Sequence, residues 1–286
     1  MAQLLKGAPV LEALEERMIS DVDALKEKGI FPTLAIVRVG ENESDKAYEK
    51  GAMKRCEKVG VIVKNVIFKE DIDNQTFQEA LSSLNNDDSV HGILMLRPLP
   101  KHLDEEYARK NLNPLKDVDG STDGSLAGVF TDSKIGFPPC TAQAVMEILS
   151  FYGIELDGKN ATILGRSLVI GRPVAMMLMK KGVTPTICHS HTKNAASKAK
   201  DADILISCIG KLESIGAEYT NPDQVIIDVG INWSDEKQKI CGDLDFEEVE
   251  PLVKAATPVP GGVGSVTTGI LVSHVVEAAK KAAISN

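Results

Sequence analysis

Three segments of this chain hold residues whose types and spacing suit chemistry. The first is Ile163-Leu164-Gly165-Arg166-Ser167-Leu168-Val169-Ile170-Gly171-Arg172-Pro173. An apolar strand enters a glycine turn and leaves it as a helix. Glycine lets the backbone approach a ligand closely, and the free N–H groups at a helix start can hold a phosphate. The glycines are six residues apart, unlike GxGxxG, so a plain strand–turn–helix corner also fits. The next strand runs into Cys188-His189-Ser190-His191-Thr192. Sites that select NAD place an acid there to bind the ribose 2′-hydroxyl. No Asp or Glu occurs between Gly182 and Lys200. Ser190 can donate to a 2′-phosphate, and Arg166 can reach one with a charge-assisted bond. His189 and His191 add donors, or are ordinary surface residues. The pattern predicts NADP and leaves NAD use open.

The second segment runs from Thr257-Pro258-Val259-Pro260 through Gly261-Gly262-Val263-Gly264 to Ser265-Val266-Thr267. Such a density of proline and glycine makes a stiff, sharply bent loop, able to approach a flat ligand. The third is Lys116-Asp117-Val118-Asp119-Gly120. Acidic turns are usually solvated. A carboxylate in one can also accept two parallel N–H bonds from an amino-pyrimidinone edge, as in a pterin.

The elements that must position these residues follow from periodicity. Apolar spacing predicts helices over 8–28, 44–60 and 73–87, with strands over 33–40, 61–68 and from His91. In the second helix Tyr48, Ala52, Cys56 and Val59 share one face. Residues 116–130 read as a loop, and the proline junction before Cys140 suggests a domain boundary near 138. A second alternating set follows, with helices over 141–152, 171–181 and 195–200. Its strands cover 160–165, 184–190, 202–210 and 224–231. A last helix covers 269–283. Alternation of this kind predicts mainly parallel sheets in two α/β domains.

Composition narrows the function classes. Of 286 residues 43% are hydrophobic, enough for a sizeable core. The net charge of −9 argues against a general nucleic-acid surface. Five cysteines without a CxxC pair predict a reducing compartment, no disulfide framework and no metal site. The N-terminus reads as an amphipathic helix, not a secretion signal, and no apolar run reaches a membrane-spanning length.

In this order and spacing, the three motifs resemble the methylenetetrahydrofolate dehydrogenase/methenyltetrahydrofolate cyclohydrolase family (the FolD type). The likeness runs from the first helix to the last. It implies a folate-binding catalytic domain, residues 1–138 plus 269–286, and a Rossmann-like NADP domain, residues 139–268, with a cleft between them. It also implies a cytoplasmic homodimer. Hydride transfer would give methenyltetrahydrofolate, and water would then open it to 10-formyltetrahydrofolate. By resemblance Tyr48 and Asp119 are catalytic. Leu96, Pro98, Pro260, Gly261 and Gly262 join them in binding folate. Gly165, Arg166, Ser167, Ile170, Gly171, Ser190, Ile231 and Thr267 would hold the cofactor.

The chain departs from the family pattern at four places. The family's Tyr-x-x-x-Lys is here Tyr48 with Ala52, and its Val-Gln-Leu-Pro-Leu-Pro has Leu96 where the glutamine stands. Cys-Thr-Pro becomes Cys140-Thr141-Ala142, and Gly-Pro-Met-Thr becomes Gly264-Ser265-Val266-Thr267. The first two remove polar groups associated with hydrolysis. Lys50 and Lys54 fall off the Tyr48 face. Arg97 adjoins the missing glutamine, although neighbours in a strand point to opposite faces. The expectation is a dehydrogenase with weak or lost cyclohydrolase activity. The alternatives are the usual bifunctional enzyme, with Arg97 or a helix lysine substituting, and a folate-binding pseudoenzyme.

Overall fold

In the computed structural model, which describes residues 1–285, this alternation becomes two parallel sheets. The elements up to residue 139 are β1 (Gln3–Leu4), α1 (Gly7–Lys26), β2 (Thr33–Val39), α2 (Glu43–Val59), β3 (Ile62–Phe68), α3 (Asn74–Asn86), β4 (Gly92–Met95), α4 (Glu105–Asn111) and α5 (Asp123–Thr131). Then come α6 (Cys140–Phe151), β5 (Asn160–Leu164), α7 (Gly171–Lys180), β6 (Thr184–Cys188), α8 (Ala195–Lys200), β7 (Ile204–Ser207) and β8 (Val225–Asp228). The remaining elements are β9 (Asn232–Ser234), β10 (Lys239–Cys241), α9 (Phe246–Val249), β11 (Ala255–Ala256) and α10 (Gly264–Ser285).

One compact unit comprises Ala13–Cys140 and Thr268–Asn286. Its sheet has the order β3-β2-β4. β2 is buried along its whole length, which is why it reads as a near-continuous apolar run. β3 is the edge, and exposed positions dominate it. Phe77 and Leu81 of α3 pack with Ala35, Val37, Ile93 and Met95 to form the core. The Asn42 side chain caps α2 by accepting from the Ser44 N–H. Gly60 ends that helix in the left-handed region. A buried ion pair, Arg38 Nε to Glu49 at 2.7 Å, ties α2 to β2 beside Tyr48.

The other unit comprises Met1–Glu12 and Thr141–Thr267. Its strands follow the order β1-β11-β8-β7-β5-β6, all parallel. The expected division placed the first twelve residues with the folate-binding domain; by contact they group with this sheet. Gln3 and Leu4 pair with Ala255 and Ala256, a contact too short to show as periodicity. The reading of 116–130 as loop is corrected. α5 forms because Thr122 caps it, its hydroxyl accepting from the Ser125 N–H at 3.1 Å. α10 starts at Gly264 rather than 269, so Ser265, Val266 and Thr267 form its first turn. Among the described residues no helix is long and apolar enough to cross a membrane, and no cluster of metal-ligating side chains forms. All five cysteines are free thiols; four are buried and Cys208 is partly so.

Candidate active site

The nucleotide motif lies where a parallel sheet offers a ligand crevice, at the carboxyl ends of its strands. β5 lies between β6 and β7, so the chain crosses over in opposite directions on its two sides. Gly165 follows β5 with φ of +124°, and a Cβ there would stand 2.6 Å from the Cys208 carbonyl oxygen. Gly171 opens α7 against the Gly165 carbonyl, which a Cβ would strike. Only glycine fits either place. The Ser167 hydroxyl accepts from the Ile170 N–H at 3.1 Å and rounds the turn. No side chain caps α7; the Arg172 N–H donates to the Ser167 carbonyl at 3.1 Å and Pro173 has no N–H, which leaves the Gly171 N–H for an anion. Leu164 pairs with Cys188, which brings the β5 turn beside the end of β6. Arg166 and Ser190 are both exposed there. This cradle fits a dinucleotide phosphate.

Ile231 and the proline-glycine loop meet in one pocket of about 250 Å³. Its walls include Gly230, Ile231, Ile240, Pro260, Gly261 and Gly262. One cofactor candidate and three folate candidates thus share a pocket in the same unit. Thr267 stands in the first turn of α10, and its hydroxyl donates to the Val263 carbonyl at 3.2 Å. Two buried carboxylates that the sequence reading passed over hold the walls. Asp243 accepts from the Ser207 hydroxyl at 2.9 Å and from the N–H groups of Ile209 and Lys211. Asp228 accepts from Gly230, Asp243 and Leu244. Burial pushes the Asp228 carboxyl up to about 6. A buried apolar run ending in Asp-Val-Gly was the signal available for it.

The other unit gathers Tyr48 of α2, Asp119 and Arg97. Asp117 and Asp119 do different work. Asp117 is fully buried and shapes the turn, accepting from the Thr122 N–H at 2.7 Å and the Ser125 hydroxyl at 2.6 Å. Asp119 keeps about a quarter of its side chain exposed, with Arg97 Nη2 at 3.5 Å. Burial raises the Asp119 carboxyl above its ordinary range, Arg97 opposes that rise, and Asp117 adds to it. Burial, then Asp119, then Cys140 push the Tyr48 hydroxyl upward, so it holds its proton firmly.

Beneath Asp119, two donors converge on the Val118 carbonyl: Cys140 Sγ at 3.2 Å and His274 Nδ1 at 2.8 Å. They fix the peptide that leads into Asp119. His274 is pushed down to about 4 by burial, so it is a neutral donor. Its ring stacks on Phe137, with centroids 4.9 Å apart. Cys140 carries a signal as the first residue of the segment that resembles Cys-Thr-Pro; His274 has none beyond its type.

Two folate candidates sit differently from the rest. Leu96 is only 6% exposed, because its N–H extends the β2–β4 pairing by donating to the Val37 carbonyl at 3.0 Å. It offers a ligand little surface. Pro98 lines a cavity of about 430 Å³ with Gly40, Glu41, Asp45 and Glu70, and neither Tyr48 nor Asp119 lines that cavity. Ala52 is fully buried. Arg97 overturns the strand-alternation argument: β4 ends at Met95, so the strand rule does not apply to it, and its side chain reaches Asp119.

Comparison with known proteins accounts for both units. Residues 5–119 match the catalytic-domain model of tetrahydrofolate dehydrogenase/cyclohydrolase, and residues 139–283 match its NAD(P)-binding-domain model. The bifunctional protein FolD of Carboxydothermus hydrogenoformans is 49% identical over 279 residues, covering 97% of each chain. A bifunctional methylenetetrahydrofolate dehydrogenase/cyclohydrolase of Campylobacter jejuni has a crystal structure similar at a TM-score of 0.94. It is 36% identical, with 98% of this chain and 99% of that one covered. The Trypanosoma brucei dehydrogenase-cyclohydrolase, solved with NADP and an inhibitor, gives a TM-score of 0.90 at 27% identity. Its alignment covers 99% of this chain and 98% of that one.

Proposed function

This chain belongs to the tetrahydrofolate dehydrogenase/cyclohydrolase family, and on that premise we propose that it oxidises 5,10-methylenetetrahydrofolate to the methenyl form with NADP, its hydrolytic step being weak or lost. When bound, the nicotinamide supplies the hydride acceptor. The chain's own task in that step is orientation, since the cation formed is delocalised over two nitrogens and needs no base. Asp119 receives the pterin edge and Tyr48 flanks it. The proline-glycine loop gives a flat surface beside Ile231.

The observation that carries the reading is the pairing of an intact carboxylate with an emptied helix face. Hydrolysis adds water to the methenyl carbon, passes a proton to an acceptor and then breaks a carbon–nitrogen bond. On α2 the residue one turn from Tyr48 is Ala52, which is buried and has nothing to accept or give a proton. Lys50 and Lys54 are exposed. A bifunctional reading is favoured by one observation, the approach of Arg97 to Asp119. Mixing the enzyme with methylenetetrahydrofolate and NADP+ and resolving the products separates the readings. Growth at the nicotinamide absorbance band with methenyl accumulating supports ours. Formyl product at the same rate supports the bifunctional one, and no absorbance change would leave a folate binder.

Cofactor choice rests on Arg166, Ser190 and the missing acid. Arg166→Ala should weaken NADP by about 1.5–3 kcal/mol while leaving NAD nearly unchanged. Equal losses in titrations with both cofactors would remove Arg166 from the 2′-phosphate.

We further propose the homodimer, placed in the cytoplasm. Support comes from β3, an unpaired sheet edge on which Ile62 and Ile67 are each 49% exposed. Light scattering should give twice the 30.7 kDa chain mass, and Ile67→Asp should return it toward the single value. The free thiols fit a reducing compartment.

A further inference from the structure

We propose that Arg97 is a positioning residue, supplying through space the positive charge this chain lacks at position 52 of α2, and that it keeps Asp119 a carboxylate aimed at the pterin edge. The inference rests on the folate reading above and assigns that site a residue which the likeness to the family does not supply.

Arg97 Nη2 stands 3.5 Å from Asp119 Oδ2, with both side chains about a quarter exposed. The neighbouring cations are otherwise engaged. Lys116, three residues from Asp119, points its Nζ at the carbonyls of Leu84 and Asp87, at 3.1 and 2.7 Å. Arg55 and Lys58 of α2 both serve the buried Glu15. Lys281 of α10 lies 4.3 Å over the Phe137 ring. The groups facing Asp119 from the surrounding elements are therefore few. Tyr48 comes from α2, Cys140 from the start of α6 and Asp117 from the same turn, while His274 of α10 lies behind the Val118 carbonyl. Tyr48, Cys140 and His274 are neutral, although the Cys140 thiol also favours the Asp119 carboxylate through a hydrogen bond, less than Arg97 does. Asp117 is a like charge that favours protonation of Asp119, as burial does. Arg97 is the cation that opposes both.

The substitution is chemically asymmetric. A guanidinium stays protonated throughout the working pH range and forms planar, directed contacts with carboxylates. It can hold a negative charge in place, but it cannot take a proton from an attacking water. Arg97 therefore restores the electrostatics that folate binding needs without restoring proton transfer for hydrolysis. It reaches Asp119 because β4 ends at Met95, which releases the Arg97-Pro98 segment from strand alternation.

Asp119 accepts from the pterin only when ionised, so folate binding weakens as pH falls through its folded value. Without Arg97 that value rises, and the acidic limb of binding moves to higher pH. The experiment titrates tetrahydrofolate, under anaerobic conditions, into wild type, Arg97→Leu and Arg97→Lys across the acidic to neutral range. Thermal melting checks that each variant is folded. Arg97→Leu should shift the limb upward by about one pH unit, with roughly tenfold weaker binding on the limb. Arg97→Lys should return most of that shift. A limb that stays in place in Arg97→Leu overturns the proposal, as does uniform weakening at every pH, which would mark a structural role only. Failure of wild type to bind tetrahydrofolate at any pH would instead sink the folate reading itself.

Discussion

Methenyltetrahydrofolate given to this enzyme is expected to decay little faster than it does in buffer alone. The enzyme should meanwhile produce methenyl product rapidly from the methylene substrate. Each catalytic group of the kind missing at positions 52 and 96 is typically worth about 10²–10⁴-fold, and two such losses need not add. The structure sharpens the point. Tyr48 binds its proton tightly under burial and the Asp119 charge, so it stays a neutral phenol that neither gives up a proton readily nor takes one from water. Arg97 is a fixed cation. Water entering near Asp119 thus meets donors and one carboxylate already committed to Arg97. Restoring the family pattern with Ala52→Lys and Leu96→Gln meets an obstacle that the sequence did not show: both positions are buried, at 0% and 6% exposure. Overpacking there costs typically 1–3 kcal/mol, so the double variant should melt earlier whatever its activity. The measurement is methenyl absorbance with time against the uncatalysed rate. Decay by wild type as fast as its own dehydrogenase turnover would reject the proposed loss.

The second large effect belongs to Asp119. Asp119→Asn keeps the shape but turns one acceptor oxygen into an N–H that faces the pterin's donors. Folate binding should fall by about 3 kcal/mol, roughly 100-fold, since hydrogen bonds to charged groups are the costly ones to lose. NADP binding should be unchanged, because the cradle around Gly165 is built by β5, β6 and α7. Direct titration of each ligand separates the two. Unaltered folate affinity would reduce Asp119 to a turn residue like Asp117. The variant also releases Arg97 from its carboxylate, so some of the fall reflects an unpaired cation.

The alternation of strands and helices was legible because its pattern is local: β2 and β5 are apolar runs, and α2 has a four-residue rhythm. The glycine turn was legible because Gly165 and Gly171 leave no room for another residue type. What escaped depended on contacts distant in sequence. β1 and β11 have two residues each and exist through pairing. α5 carries two glycines, Gly124 and Gly128, within nine residues, so propensity speaks against it while its Thr122 cap speaks for it. Arg97 was misjudged through the strand rule, applied two residues beyond where the strand ends. Asp228, Asp243, Cys140 and His274 are buried residues whose hydrogen bonds hold the walls, and residue spacing does not show those bonds. Leu96 shows the converse, a motif position whose side chain the fold absorbs.

The five thiols have a practical consequence. All of them have their proton affinities raised, chiefly by burial, with Cys56 and Cys208 at about 12. Alkylation, peroxide oxidation and disulfide exchange all proceed through the thiolate. For a thiol at about 12, roughly one molecule in 10⁵ carries it at pH 7. A protein with five free cysteines would ordinarily need reductant in storage. This one should age slowly in air, and a cysteine introduced at the surface should outcompete the native five for a maleimide dye.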